Sequence, residues 1–410
     1  MNLTLSQKSR TALTVLIATL GYAVDLFDLI LFLLVRPTSL KDLNVPAASM
    51  LDVGVNLFNA QMAGLIIGGI LWGVLGDKRG RLSVLLGSIL LYSVANIANA
   101  FVITVPQYAM LRFIAGIGLA GELGAGVTIV SELLPQRIRG YGSTIITAIG
   151  VFGAVAAALI ANTVTWRHAY LLGGVMGLML LGLRLGIRES LLFAKIKATS
   201  VTRGSLMAFV RKPEMLRRAG LIILTGVPIW FIIGVLVGFT PEFAAALKIP
   251  GEPPKLTNAI MFLYLGLSVG GAGIGLLSQW LQSRRYALLA SLFATALLLA
   301  FYPQLASGSK EAYYGTCFAA GIFAGYWAMF VQIAAEQFGT NYRATVTTSV
   351  SNLVRGSTIL MTRAFKGMIP SIGVIASGLT VGFTVIAIAI VATWMLKETF
   401  HREMDYNESE

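Results

Sequence analysis

Of 410 residues, 56% are hydrophobic and only 12% charged, with a mean hydropathy of +0.79. Soluble domains carry about 25% charged residues, so a water-soluble globule is excluded. The net charge of +13 is spread over loops, helix ends and a few apolar segments. With no basic, aromatic-interleaved soluble face, it excludes a nucleic-acid binder.

Apolar runs near the ~20 residues of a membrane-crossing helix recur along the whole chain, separated by short polar loops. We place twelve, at 11–36, 53–76, 82–104, 106–131, 141–164, 168–188, 218–244, 257–281, 285–303, 312–337, 344–366 and 371–396. The expected fold is an all-α polytopic membrane protein. Lys8 and Arg10 before the first run imitate a secretion leader. The run is too long for one, holds Asp25 and Asp28, and lacks a small-residue cleavage site, so it is expected to be a retained first helix. With both termini inside, twenty of the 31 lysines and arginines face the cytoplasm, seven the outside, and Arg112, Arg184, Arg355 and Arg363 stay in the membrane. That bias predicts the orientation.

The first span reads GYAVDLFDLILFLL. Asp25 and Asp28, three residues apart, share a helix face. A membrane-centre charge costs ~2.5–3.5 kcal/mol, so such residues face a cavity or a partner. Asp28 lies ~12 Å from the outer end of span one and Arg112 ~9 Å from that of span four, at 1.5 Å per residue. The two depths match. Burial and a neighbouring guanidinium act oppositely on a carboxyl's protonation, which is the requirement for a proton switch. A fixed structural ion pair is the other reading. Glu122 lies ~24 Å into span four, on the inner side, between Gly121 and Gly124. It relays a proton inward or hydrogen-bonds within the bundle.

Between spans two and three stands GVLGDKRGR, residues 73–81. Gly73 and Gly80 permit close helix approach and a tight turn. Asp77 suits the positive N-terminal end of a neighbouring helix, and Arg79 or Arg81 an acid at another helix end. Span four and its loop read RFIAGIGLAGELGAGVTIVSELLPQRIRG, from Arg112 to Gly140. Glu132 precedes Arg139 by seven residues, as Glu336 precedes Arg343 in the AEQFGTNYRATVT stretch 204 residues later. This duplication, with the basic stretch at 189–217, predicts a six-helix bundle at 1–188, a cytoplasmic linker at 189–217 and a second bundle at 218–410.

These motifs resemble the major facilitator superfamily. GVLGDKRGR is similar to its G-x-L-x-D-R-x-G-R loop, with Lys78 in place of Arg, and the span-four segment is similar to the metabolite:proton symporter and sugar-porter branches. The resemblance implies a twelve-helix transporter in two bundles, a cytoplasmic latch at the 73–81 loop, and a span-one acid coupling proton to substrate with the span-four arginine. The corresponding second-half loop, GLLSQWLQSRR at 275–285, has Gln279 where an acid is expected, so the gate is not a symmetric copy.

In SVSNLVRGSTILMTRAF, Arg355 is near the middle of span eleven with Asn352 on the same face. Spans seven to twelve hold no membrane-depth acid to neutralise it, so it either awaits an anionic substrate or pairs across the halves with Asp25 or Asp28. Tyr22, Gln61, Trp230, Tyr326 and Gln332 are candidate cavity contacts, although such aromatics are commonly packing residues. Cys317 is the single cysteine, so no intrachain disulfide forms, and no nucleotide loop or metal motif appears. The expected protein is a proton-coupled importer of a small organic anion. It works as a monomer in a bacterial inner membrane, using protons and no cofactor or metal. An exporter of amphipathic compounds and a facilitator of neutral solutes are the rival readings.

Overall fold

The computed structural model describes residues 5–133, 146, 149–185, 211–402 and 405–408. Residues 189–210 of the expected 189–217 linker, Arg139 and the side chain of Glu132 lie outside that set. Among the described residues, eight helical stretches are long and apolar enough to cross a bilayer.

Helix α1 (Leu5–Asp42) is the first span. It is followed by α2 (Met50–Arg79), α3 (Arg81–Asn99), α4 (Val105–Leu119), α5 (Glu122–Leu133), α6 (Phe152–Ala161) and α7 (Trp166–Arg184). The later residues form α8 (Pro213–Phe231), which passes into a π-helical segment (Ile232–Val237), then α9 (Thr240–Ala246), α10 (Leu256–Leu281) and α11 (Arg284–Ala300). They end with α12 (Tyr302–Ala306), α13 (Lys310–Ala324), α14 (Trp327–Gln337), α15 (Arg343–Gly356) and α16 (Thr358–Met395). Several ends differ from expectation. The first helix carries Arg36 within it, because nothing in VRPTSLKD stops a helix except Pro37, which the helix absorbs. The last two spans run together and are separated only by a kink at Gly373, whose φ is 78°.

Spans four and ten, expected as continuous helices, are both broken, and at equivalent points. The first break falls at Ala120–Gly121 and the second at Gly325–Tyr326, so Gly121 and Gly325 are 204 residues apart. At the first break a Cβ on Gly121 would meet the Ser88 side chain at 2.6 Å, and at the second two backbones come close. A Cβ on Gly325 would meet the Gly270 carbonyl carbon at 2.3 Å, so no larger residue fits there without a shift. Packing repeats as well. Gly64 and Gly68 of α2 rest on the carbonyls of Phe113 and Ile117, and Gly266 and Gly270 of α10 rest on those of Phe318 and Ile322. Small residues permit such close crossings where no hydrophobic drive exists between helices.

The described helices before residue 186 pack mainly on one another, as do those after 210. The two groups meet along α2 against α15, α5 against α15, and α6 against α10. The polar side chains discussed next lie along this seam and inside the first group.

Candidate functional site

Asp25 and Arg355 join the two groups. Arg355 Nη2 donates to Asp25 Oδ2 at 3.1 Å, and both side chains are at most 1% exposed. Of the two readings of Arg355, the structure has it paired across the halves. Its acid comes from the other half, a contact that separation along the chain hides. Asn352 accepts from Arg355 at 3.5 Å and donates to the Ala120 carbonyl at 2.8 Å, tying α15 to the break in span four.

Arg355 of this pair lines a narrow cavity, together with Tyr22, Leu26, Trp230, Tyr264 and Trp327, among others. Its free volume is ≈ 10 Å³, about the room of one water. The Arg355 guanidinium lies 6.0 Å from the Trp230 ring centroid and 5.8 Å from that of Trp327, within cation–π range. Of the predicted cavity residues, Tyr22, Trp230 and Arg355 are brought together here. Tyr326 is not. Its hydroxyl donates to the Thr225 carbonyl at 3.0 Å, and the next residue, Trp327, faces the cavity instead. Gln332 is also elsewhere, donating to Glu336 at 2.7 Å. Gln61 is fully buried outside the cavity lining, with neither amide atom hydrogen-bonded. Tyr264 was not foreseen, and a lone tyrosine in an apolar run offers no signal.

Asp28 and Arg112 occupy a second buried cluster, but not as the expected direct ion pair. Neither Asp28 oxygen has a hydrogen-bond partner, and Gly173 packs directly onto Oδ1. Arg112 donates instead to Asn96 Oδ1 and lies 4.7 Å from the Tyr170 ring centroid. Tyr170 and Tyr108 share a 2.6 Å hydrogen bond. Depth counting found the right level but not the asparagine between the two charges.

Glu122 is the third buried acid. Arg184 holds it at 2.7 and 2.9 Å, and Ser88 donates to it at 2.9 Å. This joins α3, α5 and α7 beside Gly21 of α1, where a Cβ would overlap Arg184. Arg184 was counted as a membrane arginine without a role. Matching its depth near the end of span six to that of Glu122 would have exposed the pair.

At one end of the seam, Asp77 accepts from the backbone N–H groups of Ala344 at 3.1 Å and Thr345 at 2.8 Å. These are free donors of the first turn of α15, where a carboxylate meets the positive end of the helix. Arg81 lies 3.5 Å from Asp77 and donates to the Thr340 carbonyl at 3.0 Å. Gly80 makes the turn with φ 106°, and Gly73 lets α2 come against Thr345. Arg79 is exposed. Arg343 donates to the Ala335 carbonyl and Thr340 Oγ1, while Glu336 faces Arg284 at 3.6 Å and accepts from Thr399.

In the second half, an acid from the tail replaces the one missing at Gln279. Glu398 accepts from Ser283 Oγ and from the N–H groups of Arg284 and Arg285, at the start of α11. Burial works upward on this carboxyl, but the hydrogen bonds from Ser283, Arg284, Thr399 and Arg285 outweigh it and hold it below the usual range.

The sequence profile of the Major Facilitator Superfamily matches residues 18–362. The chain is 27% identical over 301 residues to the 3-(3-hydroxyphenyl)propionate transporter of Escherichia coli, covering 70% of this chain and 71% of that one. It is 32% identical over 161 residues to the niacin transporter NiaP of Acinetobacter baylyi, covering 38% and 36%. The proton:xylose symporter XylE of E. coli, bound to 6-bromo-6-deoxy-D-glucose, superposes with a TM-score of 0.72 at 16% identity, over 97% of this chain and 98% of that one. A match over most of the chain, with the fold to go with it, places this protein in the major facilitator superfamily of membrane transporters.

Proposed function

We propose that this transporter is a proton-coupled symporter that imports a small carboxylate, with an aromatic acid matching the rings that line its cavity. The observation that carries the reading is the Asp25–Arg355 pair, whose arginine lines an aromatic-walled cavity. Breaking a buried pair from one side leaves a charge without compensation, at about 3–5 kcal/mol. A cargo carboxylate that takes Arg355 from Asp25, with a proton neutralising Asp25, leaves no charge exposed. Proton and anion therefore arrive together or not at all. Trp230, Trp327, Tyr22 and Tyr264 supply faces for a planar ring beside that guanidinium. The named substrates of the two relatives, a phenylpropionate and niacin, are of the same chemical kind.

Asp28 is the second proton carrier. An ionised carboxylate with no hydrogen bond or ion pair within bonding distance among the described residues is costly to bury, and holding a proton removes that cost. The basic-residue bias puts the Asp77 latch on the cytoplasmic side, so the two six-helix halves are closed there.

The test is a thermal-shift screen of benzoate, nicotinate, gentisate and aliphatic carboxylates against their amides, followed by uptake in proteoliposomes. Stabilisation by acids but not amides, with proton entry alongside the acid and loss of accumulation under a protonophore, is the expected result. Uptake that ignores the protonophore would make the protein a facilitator and end the reading.

A further inference from the structure

Among the described buried or half-buried arginines near the seam, Arg36 differs from the rest. Arg355, Arg184, Arg81 and Arg112 each donate to a named partner. The Arg36 guanidinium has no carboxylate within ion-pair distance and no hydrogen bond among the described residues. It lines a second narrow space between the halves, with Leu33, Phe58, Gly234, Gly238 and Thr362, at the end opposite the Asp77 latch; its free volume is also ≈ 10 Å³, so an anion that binds there widens it. Gly54 makes room for it. A Cβ there would lie 2.5 Å from Arg36 Cδ. Glu242 acts on Arg36 through space, and its own Oε2 is buried without a hydrogen bond.

The two spaces are stacked along α1. Leu26 lines the central one and Leu33 the other, about 10 Å apart at 1.5 Å per residue. They share one wall, the π-helical segment, with Ile233 on the central space and Gly234 on the other. A π-helical turn inside an α-helix is a rare geometry that concentrates at functional sites.

We propose that Arg36 forms an entry site for the carboxylate of the cargo, separate from the site at Arg355 and reached first from the outside. The proposal rests on the reading of the protein as a carboxylate importer. Arg36 offers what Arg355 does not offer in this state, a guanidinium with its donors unclaimed, suited to two-point binding of a carboxylate. An anion held there waits one step above Arg355, which becomes available when Asp25 takes a proton. Glu242 sets the strength of the site, because its negative charge opposes an incoming anion.

The experiment measures benzoate and nicotinate transport in proteoliposomes in both directions. Arg36→Gln is expected to raise the KM for influx about tenfold with a maximal rate within about twofold of wild type. Arg36→Lys should keep most of the affinity, and Glu242→Gln should lower the influx KM. The KM for efflux, where cargo meets the other end first, should not move in any variant. An influx KM unchanged in Arg36→Gln, or one raised equally in both directions, would overturn the entry site and make Arg36 a structural brace. If Arg36→Gln does not fold, an influx KM unmoved by Glu242→Gln overturns it instead. A wild-type protein that moves no carboxylate at all would overturn both the entry site and the importer, whereas the outcomes above overturn the entry site alone.

Discussion

The two halves have one backbone plan and opposite chemistry. Helices α2 and α4 cross as α10 and α13 do, and the breaks in spans four and ten sit 204 residues apart. The polar content is not repeated. The first half buries Asp25, Asp28, Arg112, Glu122 and Arg184, whereas among the described residues the second half buries Arg355 at comparable depth and borrows its acid from the first. At the equivalent position of Glu122, beside the break, the second half has Tyr326. Duplication kept the hinges and let the side chains diverge. On the proposed reading the proton chemistry is concentrated in one half, and the aromatics Trp230, Tyr264 and Trp327 that line the cavity belong to the other.

Four substitutions press on that division. The largest effect is expected of Asp28→Asn, which keeps the shape and removes the proton. Uphill uptake should fall by about a hundredfold or more, while counterflow exchange of the same acid continues. Loss of both would place Asp28 in cargo binding or in folding and blur the division. Asp77→Asn comes next. It removes a carboxylate from two backbone donors and leaves Arg81 without its acid. The balance between the closed and open latch should move by about a hundredfold. Uptake should then collapse with normal membrane insertion, and normal uptake would show that the latch does not control transport.

Arg355→Lys tests the other half. A lysine keeps the charge but loses the planar fork, so the KM for a carboxylate should rise about tenfold, with little change in proton leak. An unchanged KM would make the Asp25 pair purely structural. The smallest effect belongs to Glu398→Gln, which weakens the cap on α11 by about 1 kcal/mol at neutral pH. Because the folded-state carboxyl is held low, its stabilisation is present above the ordinary glutamate range and lost as pH falls through the folded value. Melting curves of variant and wild type should therefore differ at pH 7 and converge as the solution is acidified. A difference that persists in acid would show that Glu398 acts by packing.

The fold was legible because its signals are local. Apolar length, basic loops and the loop motif each depend on a few neighbouring residues, and Asp77 found the helix start that its chemistry called for. The site was half legible. Periodicity placed Asp25 and Asp28 on one face, but which arginine each would meet depends on how α15 and α4 rotate against α1. Arg355 went to Asp25, and Asn96 came between Asp28 and Arg112. The paired Arg184 and the cap from Glu398 were missed for one reason. Both contacts join segments more than 60 residues apart, and no motif flags them.

The narrowness of the central cavity has a further consequence. Space for one water cannot house a benzoate ring, so any cargo must prise Trp230, Trp327 and Tyr22 apart to enter. The measured affinity is then what remains after that work is done. A bulkier aromatic acid that wedges the walls at their widest, and cannot let them spring back, should bind without being carried. Blockers of this protein are accordingly to be sought among oversized relatives of its cargo, and compounds that simply resemble it more closely will be passengers.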